Sequence, residues 1–193
     1  MKIVLASSNK HKVQEINDIV SSMDLPLDFV LPPSDFNPEE NGTTFEENSY
    51  IKAMEAWNLA KTWVLADDSG LCIDALDGKP GIYSARYAET PALRIERVLK
   101  ELNGEKNRSA HFTCAMTLIN PQGDIEYKYQ GICEGAIINE PRGINGFGYD
   151  PIFLVKGDTR TMAELSEKEK NQVSHRSIAL RHVLAYLQNI IKN

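Results

Sequence analysis

A long hairpin pattern in the middle of the chain limits its fold more than any other feature. Ala110 to Ile119 and Ile125 to Ile138 are β-prone runs joined by Asn120-Pro121-Gln122-Gly123, a longer turn than the minimal two-residue one. On either side, short apolar runs alternate with segments of helical periodicity. Lys2 to Ala6 reads as a buried strand, followed by a turn at Ser7-Ser8-Asn9 and a helix from His11 to Ser22 with Val13, Ile16, Ile19 and Val20 on its apolar face. Leu27 to Leu31 reads as a second strand ended by Pro32-Pro33, and residues 32–43 as a polar loop. Thr44-x-x-Glu47 has the form of a capping box and opens a helix to about Thr62. The apolar run Trp63-Val64-Leu65-Ala66 reads as a buried strand, after which Ser69-Gly70 lets the chain turn.

Thr90 before Pro91 gives an N-cap with proline at the first helical position, and Gly104 stops that helix. Pro151 to Val155 reads as a strand, Thr161-x-x-Glu164 and Ser166-x-x-Glu169 as two further capping boxes, and Arg176 to Ile191 as a closing helix. Alternating strands and helices build parallel pairs, and an inserted hairpin adds an antiparallel one. The pattern therefore predicts an α/β domain with a mixed sheet flanked by helices. No repeat and no linker marks a boundary, so residues 1–193 read as one domain.

The net charge of −6 argues against a general nucleic-acid binder, which carries a basic surface. Three cysteines, Cys72, Cys114 and Cys133, form no CxxC pair, so neither a zinc ribbon nor a disulfide framework is expected. Reduced thiols, an N-terminus unlike a signal peptide and the absence of a membrane-length apolar run together predict a cytoplasmic protein.

Five places could carry chemistry. Asp67 and Asp68 follow the buried run, where two carboxylates repel unless something cationic meets them. A hard cation such as Mg²⁺ would serve, and so would a role as loop caps. At the N-terminus, Ser7 to Lys12 place small donors and two lysines at a helix start, which suits a phosphate; an ordinary capped helix reads the same way. Lys52 shares a helix face with Asn48, and Glu40 lies just upstream in the loop, so the lysine could hold a phosphate while Glu40 helps hold a metal, or both could be solvated. Gly143 to Pro151 sets Phe147 among glycines, either to stack on a flat base or to plug the core. Finally, Lys170, His175 and Arg176 are donors at a helix junction, suited to a carbonyl edge or to a helix dipole.

Six segments in this order resemble the non-canonical purine nucleoside triphosphate pyrophosphatases, the inosine triphosphatase (Ham1-like) family. They are SSNKHK at 7–12, TFEENSYIKA at 44–53, ADDSGL at 66–71, PGIYSARY at 80–87, GFGYDPIF at 146–153 and AELSEKEKNQVSHR at 163–176. The resemblance implies an elongated two-lobed α/β domain with its site in the cleft between the lobes, a homodimer, and Mg²⁺ as cofactor. It implies cleavage of the α–β bond of ITP, dITP or XTP to a monophosphate and pyrophosphate, removing these nucleotides from the pool. By the same resemblance Asp68 is the general base and a metal ligand, and Glu40 the second ligand. Ser7, Ser8, Asn9, Lys10, His11 and Lys12 form the phosphate loop, joined by Lys52, with Ser69 contacting substrate and Arg86 near the phosphates. Phe147 stacks on the base within a binding stretch that includes Gly148, Tyr149 and Asp150, and Lys170, His175 and Arg176 face the base edge. Two other readings stand beside this one: a Maf-like pyrophosphatase acting on modified or pyrimidine nucleotides, and a non-catalytic nucleotide sensor. Neither nucleic acid nor membrane is an expected partner.

Overall fold

The computed structural model describes residues 1–21 and 25–192, with Lys10 described by its backbone alone. Ser22, the expected last residue of the first helix, lies outside the described residues. Six strands form one sheet in the order β2-β1-β3-β4-β5-β6. They are β1 (Lys2–Leu5), β2 (Asp28–Val30), β3 (Trp63–Ile73), β4 (Ser109–Ile119), β5 (Ile125–Ile137) and β6 (Phe153–Val155). The helices are α1 (Lys10–Ser21), α2 (Phe45–Ala60), α3 (Pro91–Glu101), α4 (Glu167–Val173) and α5 (His175–Lys192), with short 3-10 turns between some elements. β1 pairs parallel with both β2 and β3, and β5 pairs antiparallel with β6. The mixed sheet expected from alternation interrupted by a hairpin is therefore present.

Local chemistry explains most element ends. The Thr90 side chain accepts from the Leu93 N–H, with Pro91 opening α3. Ser166 and Glu169 bond reciprocally in front of α4, as do Thr161 and Glu164 in front of a 3-10 turn. At α2 the box is displaced. Thr44 accepts from the Glu47 N–H at 3.1 Å, but the Glu47 carboxylate reaches back to the N–H and hydroxyl of Thr43 at 2.6 and 2.8 Å.

One expected turn is absent. Ser69 and Gly70 do not turn the chain, because β3 continues through them to Ile73. Asp67 and Asp68 thus lie inside a long strand rather than at its end.

The chain divides into two compact units, the first being Met1–Asp68, Cys114–Gly131 and Arg176–Asn193, the second Ser69–Thr113 and Ile132–His175. In the first unit the two faces of the strands are covered differently. Ile3, Leu5 and Leu65 pack with Ile16 and Ile19 of α1 and with Ala179, Leu180, Val183 and Leu184 of α5. Val4, Val64 and Ala66 pack with Ala53 and Ala56 of α2. The second unit has its own core, including Leu71, Val98, Phe112, Tyr149, Ile152 and Phe153. Among the described residues, no helix is long and apolar enough to cross a membrane.

Candidate active site

Successive residues of a strand point to opposite faces of a sheet. In β3 this rule separates the two adjacent carboxylates. Asp67 has the parity of Leu65 and faces α1 and α5, whereas Asp68 has the parity of Val64 and Ala66 and faces α2. Each meets its own cation, which removes the repulsion that an adjacent pair threatens on paper.

On the α1–α5 face, the Lys12 ammonium lies 2.9 Å from Asp67 Oδ2 and the Arg176 Nε lies 3.3 Å from the same oxygen. Arg176 Nη1 also pairs with Glu15, a buried carboxylate of α1. Two cations and two anions balance within a region where Arg176 and Asp67 are each 1% exposed. Burial pushes the Asp67 carboxyl up, but Lys12, Arg176 and Lys52 outweigh it and hold the group well below the ordinary carboxylate range.

On the α2 face, the Lys52 ammonium donates to Asp68 Oδ1 at 2.8 Å and to Glu40 Oε2 at 2.9 Å. Burial pulls the Lys52 pKa down, yet Asp68, Asp67 and Glu40 overcome it, so the ammonium stays charged. Asp68 shifts the other way. Burial raises its pKa against the pull of Lys52 and Lys12, so its carboxylate is the more basic of the two. Its second oxygen, Oδ2, is buried and has no hydrogen-bond partner among the described residues. Glu40 and Asp68 therefore converge on one lysine and leave an open carboxylate oxygen, a hard-oxygen donor set that fits a divalent cation. The described residues contain no cluster of three or more acidic, histidine or cysteine side chains that would form a closed metal cage.

The N-terminal segment reaches this unit through a cap. Asn9 Oδ1 accepts from the N–H groups of His11 and Lys12 at 3.1 and 3.4 Å, and Ser7 Oγ accepts from the Asn9 N–H at 3.2 Å. Ser7 is buried; Ser8, Asn9 and His11 are exposed at the start of α1. The side chain of Lys10 lies outside what is described. Lys12 is committed to Asp67 rather than pointing freely to solvent.

In the second unit another group forms. Asp150 Oδ2 accepts from the Phe147 N–H at 2.9 Å and from the Lys170 ammonium at 2.7 Å. The Lys170 ammonium also sits 4.6 Å from the centre of the half-buried Phe147 ring. Gly146 is needed for this arrangement: its φ is +72°, and a Cβ there would fall 2.1 Å from Asp150 Oδ2. Gly148, at φ +64°, completes the turn. Tyr149 is buried and donates its hydroxyl to the Ser84 carbonyl at 2.9 Å, so it anchors the loop in the core. Ser69 is half-buried on β3.

The structure brings together Glu40, Lys52 and Asp68 in one unit, and Phe147, Asp150 and Lys170 in the other. Lys170 and His175 belong to the second unit and Arg176 to the first. His175 is buried with its ring stacked on Phe112 at 4.8 Å, while the Arg176 guanidinium is turned to Glu15 and Asp67. The division between units falls between these two residues. Arg86 belongs to the second unit. It is exposed, lies over the Tyr83 ring, and lines a cavity of about 780 Å³ with Lys79, Tyr83 and Arg97. Glu15 was not foreseen. Its only sequence signal is a carboxylate one position before the apolar Ile16, three residues after Lys12.

A parallel strand carrying two oppositely directed carboxylates, one of them sharing a lysine with a loop glutamate, defines an α/β protein with a buried carboxylate–ammonium centre. The chain belongs to the Ham1 family, whose pattern matches residues 3–186. It is 45% identical over 98% of its length to a protein of Prochlorococcus marinus subsp. pastoris named dITP/XTP pyrophosphatase, covering 98% of that protein. It is 44% identical over 97% of its length to a Treponema denticola protein of the same name, covering 99% of it. The fold superposes on the structure of a HAM1 protein from Coxiella burnetii with a TM-score of 0.88 at 42% identity, covering 98% of this chain and 99% of that one.

Proposed function

We propose that the protein hydrolyses non-canonical purine nucleoside triphosphates, ITP or dITP and XTP, to the monophosphate and pyrophosphate. The names of its full-length relatives support the substrate class. The observation that carries the chemistry is the Glu40–Lys52–Asp68 centre, with the buried second oxygen of Asp68 open. Glu40 and Asp68 would hold Mg²⁺, which when bound neutralises charge on the phosphates.

The residues of this chain do the rest. The raised pKa of Asp68 suits a base that accepts a proton from the attacking water. Lys52 stays charged and holds both carboxylates in place while offering positive charge to the phosphate oxygens. The exposed start of α1, with Ser8 and Asn9, offers backbone and side-chain donors to the triphosphate.

For the base we assign Phe147 to stacking and Lys170 to donation toward a 6-keto oxygen. Lys170 is held beside the ring by Asp150, which fixes its direction. Adenine would set an amino donor against this ammonium, and a buried donor left unpaired costs about 1–3 kcal/mol. Arg176 we assign to holding Asp67 and α5 in register, because reaching a base would require it to abandon two carboxylates. A cytoplasmic homodimer completes the reading, in keeping with three free cysteines; sedimentation equilibrium tests the assembly.

The experiment is a panel of nucleoside triphosphates assayed for pyrophosphate release with and without Mg²⁺. Preference for dITP, ITP or XTP over ATP and GTP is expected. Preference for pyrimidine or modified nucleotides, or binding without turnover, would overturn the reading.

A further inference from the structure

The loop that carries Glu40 is pinned to helix α2 by a contact that sequence patterns do not reveal. Asn48, one turn before Lys52, is 1% exposed. Its Oδ1 accepts from the Gly42 N–H at 2.9 Å. Its Nδ2 is buried and has no hydrogen-bond partner among the described residues. A buried donor without a partner costs about 1–3 kcal/mol. An apolar side chain packed here would avoid that cost, so the amide is explained by what its oxygen holds.

Gly42 fits the same account. A Cβ at this position would fall 2.7 Å from Asn48 Oδ1 and 2.8 Å from Glu47 Cβ. Glycine is therefore required by close approach of the loop to the helix, and not by an unusual φ. Next to it, Glu47 holds the N–H and hydroxyl of Thr43. Two residues upstream of Gly42, Glu40 presents its carboxylate to Lys52. Asn48 and Lys52 thus act four residues apart on one helix face, the first holding the loop backbone and the second its carboxylate.

We propose that Asn48 and Gly42 form a clamp that positions Glu40 for divalent-cation binding. The proposal rests on the reading of Glu40 as a metal ligand. Groups that orient metal ligands commonly change affinity when lost, although they do not touch the metal.

The test is Mn²⁺ titration of the metal-free protein, following free Mn²⁺ by electron paramagnetic resonance, with the fold checked by circular dichroism and thermal melting. Asn48→Ala and Gly42→Ala should each weaken Mn²⁺ binding by roughly 10- to 100-fold, as expected for loss of an orienting group. Asn48→Asp keeps the acceptor oxygen and should bind at least as tightly as the parent. Glu40→Gln reports on the underlying reading. If Glu40→Gln weakens binding while Asn48→Ala and Gly42→Ala do not, the clamp is refuted and the ligand stands. If Glu40→Gln binds Mn²⁺ like the parent, the ligand reading fails and the clamp with it. Loss in Asn48→Asp equal to that in Asn48→Ala also refutes the clamp. Should Asn48→Ala not fold, Gly42→Ala decides.

Discussion

Lys52→Met isolates the ammonium at the centre of the proposed site. Methionine keeps most of the stem and removes the charge, leaving Asp68 and Glu40 facing each other without a cation. The Lys52 and Asp68 side chains are 8% and 10% exposed and 2.8 Å apart. Removing one member of a buried pair typically costs ~3–5 kcal/mol, because the other charge is left uncompensated. Two features lower that figure here. Glu40 is one-third exposed, so water screens its loss, and an exposed pair contributes at most about 1 kcal/mol. Asp68 already has a raised pKa and can take a proton, which relieves its burial. A loss of ~3 kcal/mol results, which for a chain of this size lowers Tm by about 6–12 °C. Urea denaturation and thermal melting at pH 7.5 measure it. Mg²⁺ or Mn²⁺ should restore part of the loss, since a ligand that binds only the folded state stabilises it by mass action. A Tm within about 2 °C of the parent would refute the claim that Lys52 neutralises the buried carboxylates.

Further outcomes follow from the same geometry. Lys170→Ala should flatten the ratio of kcat/KM for ITP over ATP by about 5- to 150-fold, the equivalent of one unpaired buried donor, while Lys52→Met slows both substrates alike. Arg176→Met should destabilise by about 3–5 kcal/mol in urea, since it takes the guanidinium from buried Glu15 and removes one of the two cations that meet Asp67, and it should leave the ITP-to-ATP ratio unchanged. Burial pushes the Cys133 thiol up to about 11. A raised folded-state pKa gives stability that is complete below the unfolded thiol value of about 8.5 and is lost as pH climbs toward about 11. Cys133→Ala should therefore flatten the alkaline limb of the stability curve.

Much of the fold could be read from local chemistry. Thr90-Pro91, Ser166-x-x-Glu169 and the Asn120–Gly123 turn act through neighbours a few residues away, so their signals are complete in the sequence. Ser69-Gly70 misled because a turn dipeptide carries no sign of the neighbouring strands. Inside a paired 11-residue strand, hydrogen bonding to both sides overrides it. Adjacency along the chain does not carry the partners of His175 and Arg176. The first stacks on Phe112 and the second crosses to Glu15, a pairing 161 residues apart that no spacing predicts. The opposite directions of Asp67 and Asp68, by contrast, were available in the period of a β-strand once the strand was known to continue.

The central claim is that this centre cleaves the α–β bond of a purine triphosphate, and ³¹P nuclear magnetic resonance of the products tests it directly. With dITP and Mg²⁺, the account predicts resonances of dIMP and pyrophosphate alone. Asp68→Asn should keep the fold and retain less than about a tenth of the rate, a loss of more than about 1.4 kcal/mol of transition-state stabilisation. Resonances of dIDP and orthophosphate, or undiminished turnover in Asp68→Asn, would contradict it.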